Sequence, residues 1–255
     1  MRYVVRPKRV KPTASNICRV LGATQTLLYN PANRYFTRRA PVSYTRDFLM
    51  CLPDREFVSD IPDTETYDKA LRFYKANKKG QRNILREFNV KTPEDYADDA
   101  EEFVVRPFRH MSGRNFRITQ DANDYNPSSE YISPLFPKTK EYRIIFVYGE
   151  PVITLLKKVP DETPSNVPWN HAAGSTFLTV NNPVNNKVAE RHPDFYDNFK
   201  ETPVCKASHF LGVDVMLTRD SYAVCEVNFA PALTLENNLE TFKQFVEDHN
   251  RASTS

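Results

Sequence analysis

From Gly212 the chain reads Gly-Val-Asp-Val-Met-Leu, crosses a short polar turn, and returns as Tyr222-Ala-Val-Cys-Glu-Val-Asn-Phe-Ala-Pro231. Apolar and polar positions alternate with period two, the signature of paired strands. On such a pair the side chains of Asp214, Glu226 and Asn228 converge. Two carboxylates and an amide oxygen at the ends of neighbouring strands make a hard-oxygen nest suited to magnesium, and magnesium in such a nest usually accompanies a nucleotide's phosphates. Two surface acids and a turn asparagine on an ordinary hairpin would give the same pattern, so the rest of the chain has to decide.

At 255 residues, 40% hydrophobic and 26% charged, the chain suits a soluble globular protein with a sizeable core, as one multi-part domain or two small ones. No apolar run approaches the roughly 18 residues that cross a bilayer, so no membrane partner is expected. The basic N-terminus lacks the apolar core and small-residue cleavage site of a secretory signal. Cys18, Cys51, Cys205 and Cys225 have neither metal-ligand nor Cys-x-x-Cys spacing and are expected to be reduced, mostly buried thiols of a cytoplasmic protein. The net charge of +3 hides an asymmetry: Met1 to Arg46 carries ten Lys or Arg residues and no Asp or Glu. A one-signed block attracts nucleotide, nucleic acid or an acidic peptide, unless it is simply a solvated basic edge.

The pattern predicts a short capped helix over 13–22, a strand-like piece at 48–52 and a helix over 64–88 that Gly80 would break in two. Strands are expected at 102–107 and 114–119, joined through His110-Met-Ser-Gly113. Residues 142–148 and 151–158 predict a hairpin turning at Gly149-Glu-Pro. A polar loop containing Trp169-Asn-His follows over 160–175. Residues 185–211 predict a helix pair punctuated by Pro193 and Pro203, and 236–249 a terminal amphipathic helix. This order is an α+β layout.

Four segments, in this order, resemble the ATP-grasp superfamily of carboxylate–amine ligases, among them the short ATP-grasp proteins of tailed bacteriophages. Lys78 ahead of Ile84-Leu-Arg-Glu-Phe-Asn-Val-Lys-Thr-Pro93 resembles the family's lysine and following helix. Val104-Val-Arg-Pro107 with Gly113 resembles its Val-Val-Lys-Pro strand and glycine loop. Glu130-Tyr-Ile132 and Glu141-Tyr-Arg143 resemble the hinge and the acid-x-Arg strand. Gly212-Val-Asp214 through Glu226-Val-Asn228-Phe-Ala-Pro231 resembles the metal-binding end.

The resemblance implies an ATP-grasp fold: two antiparallel-sheet subdomains sandwiching a nucleotide, with a short basic N-terminal subdomain. The expected division is 1–64 for the basic segment, 65–135 for a helix and small clamping subdomain, and 136–255 for the central subdomain with the metal site. It implies ATP and Mg2+, with Asp214 and Glu226 bridging two magnesium ions and Asn228 completing one. Lys78 and Arg106 would hold the phosphates. The family usually has lysine where Arg106 stands, but arginine keeps the charge and adds a bidentate fork. Gly113 would permit close backbone approach in the loop over the phosphates. Glu130, Tyr131 and Ile132 form the hinge, the last two bordering adenine. Arg143 with Glu141 on its face, Lys158 on the return strand, and Asn170 with His171 complete the implied catalytic set. Each also has a bland reading: a solvated helix lysine, a cross-strand surface pair, an ordinary loop.

The implied reaction joins a carboxylate, possibly an acidic one, to an amine through an acylphosphate, releasing ADP and phosphate in the cytoplasm. Two alternatives remain open. One is a phosphotransferase that stops after phosphorylation. The other is an inactive scaffold whose Arg- and Tyr-rich N-terminal segment binds nucleic acid or a protein partner.

Overall fold

The computed structural model describes residues 2–6, 11–21, 24–27, 45–49, 64–98, 100–108, 116–164, 166–167, 169, 174–180, 187–229, 231, 233 and 235–252. Three short strands open the chain: β1 (Arg2–Arg6), β2 (Thr24–Leu27) and β3 (Thr45–Leu49), in the parallel order β2-β1-β3. Parallel neighbours need a crossover, and helix α1 (Lys11–Leu21) supplies it between β1 and β2. The sequence reading finds this helix but not the sheet. Strands of four or five residues offer too few positions for a period to show.

Helices α2 (Thr64–Lys75) and α3 (Lys78–Arg86) follow. The break between them falls before Asn77–Lys78 rather than at Gly80. The Asn77 side chain accepts the Gly80 backbone N–H at 2.9 Å, an N-cap that starts a new helix. A 3-10 turn over Pro93–Tyr96 leads into a small antiparallel sheet. Its centre is β4 (Phe103–Pro107), flanked by β5 (Arg117–Thr119) and β6 (Glu130–Pro134).

The larger sheet holds β7 (Lys140–Val147), β8 (Glu150–Lys158), β9 (Thr176–Val180), β10 (Phe210–Leu217) and β11 (Tyr222–Asn228). The order is β11-β10-β7-β8-β9, antiparallel throughout. The β7–β8 hairpin turns on Tyr148 and Gly149, with φ of 50° and 80°. Two left-handed residues in a two-residue turn match the twist of the strands, so the turn comes one residue earlier than Gly149-Glu-Pro suggests. Among the described residues between β9 and β10 stand three helices rather than two: α4 (Lys187–Arg191), α5 (Pro193–Glu201) and α6 (Pro203–Ala207). Pro193 and Pro203 open helices, because the first helical position needs no N–H. Helix α7 (Glu236–Ala252) closes the chain. Among the described residues no helix is long and apolar enough to cross a membrane.

One face of the large sheet buries Ile144, Phe146, Leu211, Val213 and Val224 against Phe195, Phe199 and Val204 of α5 and α6. The other face divides along its length. At one end Ile145, Val147 and Phe210 pack under Ile17 and Leu21 of α1 and Leu239 and Phe242 of α7. At the other end the same face turns polar, with Glu141, Arg143, Asp214 and Glu226 in register. A cleft lined by Val104, Arg106 and Ser133 from the small sheet and by Lys138, Met216 and Cys225 from the large-sheet side borders that polar end.

Candidate functional site

Asp214 sits at the middle of β10, a strand buried along its whole length. Its register partner is Glu226 on one side and Arg143 on the other. Arg143 donates Nε to Oδ1 at 2.6 Å and Nη2 to Oδ2 at 2.8 Å, and Lys157 Nζ lies 4.0 Å from Oδ2. Burial pushes the Asp214 carboxyl up, but the charge and hydrogen bonds of Arg143, with Lys157 and Lys78 behind them, hold it below its ordinary value. Burial works in the opposite sense on Lys157. There Asp214 and Glu141 outweigh it and keep the ammonium more firmly protonated than in water.

Glu141 shares the face of Arg143 as its spacing predicts, but it does not pair with it. Its two oxygens accept Lys138 Nζ, at 2.8 Å, and Lys157 Nζ. Lys138 also lies 4.6 Å above the Trp169 ring. Both lysines and Glu141 are buried.

Lys157 stands where Lys158 was expected. The turn at Tyr148–Gly149 sets Val147 opposite Glu150 and Phe146 opposite Pro151. Continued without interruption, that register would put Lys158 on the face of Arg143. A β-bulge at Val152 adds one residue to β8, so Ile145 meets Ile153, and Lys157 comes round to the cleft. Lys158 is exposed on the opposite face.

A second bulge shapes β11. Asp214 pairs with Glu226 but Val215 pairs with Val224, leaving Cys225 as the extra residue. Tyr222 and Val224 therefore point into the apolar core while Glu226 and Asn228 lie on the sheet face that carries Asp214. Lys78, at the start of α3, reaches Glu226 Oε2 at 2.7 Å. One helical turn on, the buried Arg82 donates Nε to the Cys225 carbonyl at 3.3 Å and Nη1 to Glu94 at 2.9 Å, which fastens α3 to the strand. Arg82 is a buried participant that the sequence reading missed; an arginine on an otherwise ordinary helix face gives no signal. Asn228 Nδ2 approaches Asp214 Oδ2 at 3.5 Å.

Among the described residues no three His, Cys, Asp or Glu side chains form a metal cage. The donor set of Asp214, Glu226 and Asn228 is two carboxylates and an amide on one strand face, hard oxygen ligands that fit magnesium shared with a nucleotide's phosphates. No thiolate or imidazole favours a softer ion there.

Across the cleft, Arg106 and Tyr131 are register partners on the face of the small sheet that also holds Val104 and Ser133. Val104, Arg106, Ser133, Phe136, Met216 and Cys225 line the cleft from both sheets. Among the described residues Arg106 has no carboxylate partner. Tyr131 is buried beneath Arg82, 5.9 Å from its ring, and stacks on Phe108 at 6.0 Å. Ile132 and Glu130 lie on the far face, where Glu130 pairs with Arg117 at 2.9 Å. The structure thus brings together Lys78, Arg143, Asp214, Glu226 and Asn228, sets Arg106 and Tyr131 opposite them, and turns Lys158, Glu130 and Ile132 away. Gly113, Asn170 and His171 lie outside the described residues, as do the side chains of most of the basic N-terminal segment. Cys18 and Cys205 are buried and Cys225 is half-buried, and none of the three is in a disulfide; Cys51 lies outside the described residues.

No protein-family model matches the sequence, and no curated protein does either. Solved structures do. D-alanine–D-alanine ligase from Bacillus anthracis, complexed with ATP, is 14% identical with a TM-score of 0.53, over 99% of each chain. The ATP-grasp ligase PsnB, complexed with minimal precursor, Mg and ADP, is 10% identical with a TM-score of 0.57, over 98% of each chain. D-cycloserine synthetase DcsG is 14% identical with a TM-score of 0.52, over 97% of this chain and 99% of its own. At these identities the likeness carries the architecture: the chain has the ATP-grasp fold.

Proposed function

We propose that the protein is an ATP-dependent carboxylate–amine ligase. The observation that carries this reading is the convergence, on one face of the large sheet, of the oxygen donors Asp214, Glu226 and Asn228 with the cations Arg143, Lys157 and, from α3, Lys78. Polyphosphate needs both kinds of group, and a fold shared with ligases described with ATP or with Mg and ADP raises the prior.

In this reading Asp214, Glu226 and Asn228 hold magnesium, which when bound neutralises charge on the transferred phosphoryl group. Lys78, Arg106, Arg143 and Lys157 cradle the phosphates, and the base lies toward Tyr131 and Phe136. A substrate carboxylate oxygen attacks the γ-phosphorus, ADP departs, and an amine then displaces phosphate from the acyl carbon to leave an amide. The side chains orient the reactants and stabilise developing charge, with no covalent enzyme intermediate. Residues 65–135 act as the clamp, 136–255 as the bed, and 1–64 borders the substrate.

Calorimetric titration with ATP, with and without magnesium, tests the reading. Magnesium-dependent binding by the wild type that disappears in Asp214→Ala/Glu226→Ala is expected. Absence of binding by the wild type overturns it. Screening amines and carboxylates for ADP release, with product mass, then separates a ligase from a phosphotransferase.

A further inference from the structure

Each acid of the site is already held by a cation of the chain: Asp214 by Arg143, Glu141 by Lys138 and Lys157, and Glu226 by Lys78. Four cations thus face three carboxylates. A bare divalent ion would enter a site that is net positive, and like charges repel. Lys78 Nζ stands 2.7 Å from Glu226 Oε2, in direct contact with an oxygen that a magnesium ion would need at about 2.1 Å. An ammonium already bound to that carboxylate repels a divalent ion brought to the same group and takes up part of its negative charge.

The three neutralising groups nearest the metal ligands differ in their freedom. Lys157 and Arg143 belong to central strands and their side chains are 8% and 16% exposed, whereas Lys78 is 26% exposed on a helix end. Arg82 pins the helix to β11, so Lys78 can leave by swinging its own stem while α3 stays in place. Nucleotide phosphates offer the departing ammonium a new anionic partner.

We infer that Lys78 is the tenant of the metal site: its ammonium occupies Glu226 in the unliganded protein, and nucleotide phosphates draw it off, so that metal and nucleotide enter together. The inference rests on the reading of Asp214, Glu226 and Asn228 as metal ligands. It assigns Lys78 a second task, exclusion of free divalent ions, beyond contact with phosphate.

Electron paramagnetic resonance of Mn2+ tests it without turnover. The wild type, Lys78→Met, Lys78→Gln and Lys78→Met/Glu226→Gln are titrated with Mn2+ alone and with Mn2+ plus ATP, after thermal melts confirm folding. Both single variants should bind Mn2+ alone at least tenfold more tightly than the wild type, and Glu226→Gln should abolish that gain. ATP should tighten Mn2+ binding at least tenfold in the wild type and by less in the single variants. Equal affinity of wild type and single variants for Mn2+ alone, with ATP-dependent binding intact, overturns the tenancy and leaves the ligand reading standing. Failure of the wild type to bind Mn2+ even with ATP overturns the ligand reading, and the inference falls with it.

Discussion

Arg143 and Asp214 face each other in direct register across β7 and β10, joined by two parallel hydrogen bonds of 2.6 and 2.8 Å. Both side chains are largely buried, so each is the other's solvent. Arg143→Leu would leave Asp214 with only Lys157 at 4.0 Å and Asn228 at 3.5 Å. Breaking a buried pair from one side costs about 3–5 kcal/mol, while replacing both partners with apolar residues costs far less. The urea midpoint should drop sharply in Arg143→Leu and recover most of the loss in Arg143→Leu/Asp214→Leu. ATP binding should vanish in both.

The same pair sets an acid limit. The folded Asp214 carboxyl lies below its unfolded value, because Arg143 outweighs burial. Its contribution to stability is therefore complete above the unfolded value, about 3.9, and is lost as pH falls through the lower folded value. The difference in urea midpoint between wild type and Asp214→Asn should hold constant from pH 7 to about 5 and narrow only below about 4. A difference that closes between pH 7 and 5 would contradict the pairing.

Two adjacent lysines should behave differently. Lys158→Ala removes an exposed side chain and should stay within about 0.5 kcal/mol of the wild type, with ATP binding unchanged. Lys157→Ala strips Glu141 of one of its two cations and leaves a buried acceptor short of a donor, which costs about 1–3 kcal/mol. Calorimetry with ATP and magnesium should show at least a tenfold weaker complex for Lys157→Ala.

Gly212 permits a close crossing of chains. A Cβ there would lie 2.6 Å from Pro231 Cβ and 3.0 Å from Pro231 Cγ, on a ring that cannot swing aside. Gly212 is also the register partner of Asn228. Gly212→Ala should cost about 1–3 kcal/mol by overpacking and displace the end of β11. Chemical denaturation checks the first effect, and Mn2+ binding in the presence of ATP, weakened several-fold, checks the second.

What the sequence made legible follows the strength of its periodicity. β7, β8, β10 and β11 run as apolar stretches of seven to nine residues, long enough to read as strands, and the shared face of Asp214, Glu226 and Asn228 can be read from the last two. β1, β2 and β9, of four or five residues, are not read from the sequence, whereas β4 and β5, no longer than these, are. Lys158 is expected from its place on the return strand, and nothing in Pro-Val-Ile-Thr announces that Val152 is supernumerary and brings Lys157 round instead. Lys138 and Arg82 were hidden for another reason. Each pairs with a carboxylate nearby in the chain but meets a distant group as well, Trp169 for Lys138 and the Cys225 carbonyl for Arg82, and patterning carries no trace of those contacts.

Val152 and Cys225 give these two hairpins something like a frameshift apiece. Downstream of each, the odd and even positions exchange their assignments to cleft and core. Each is also the one residue of its strand whose removal would leave every pairing intact, since it has no partner to lose. Deleting either residue alone should therefore leave the lysine and carboxylates of the site on their present face.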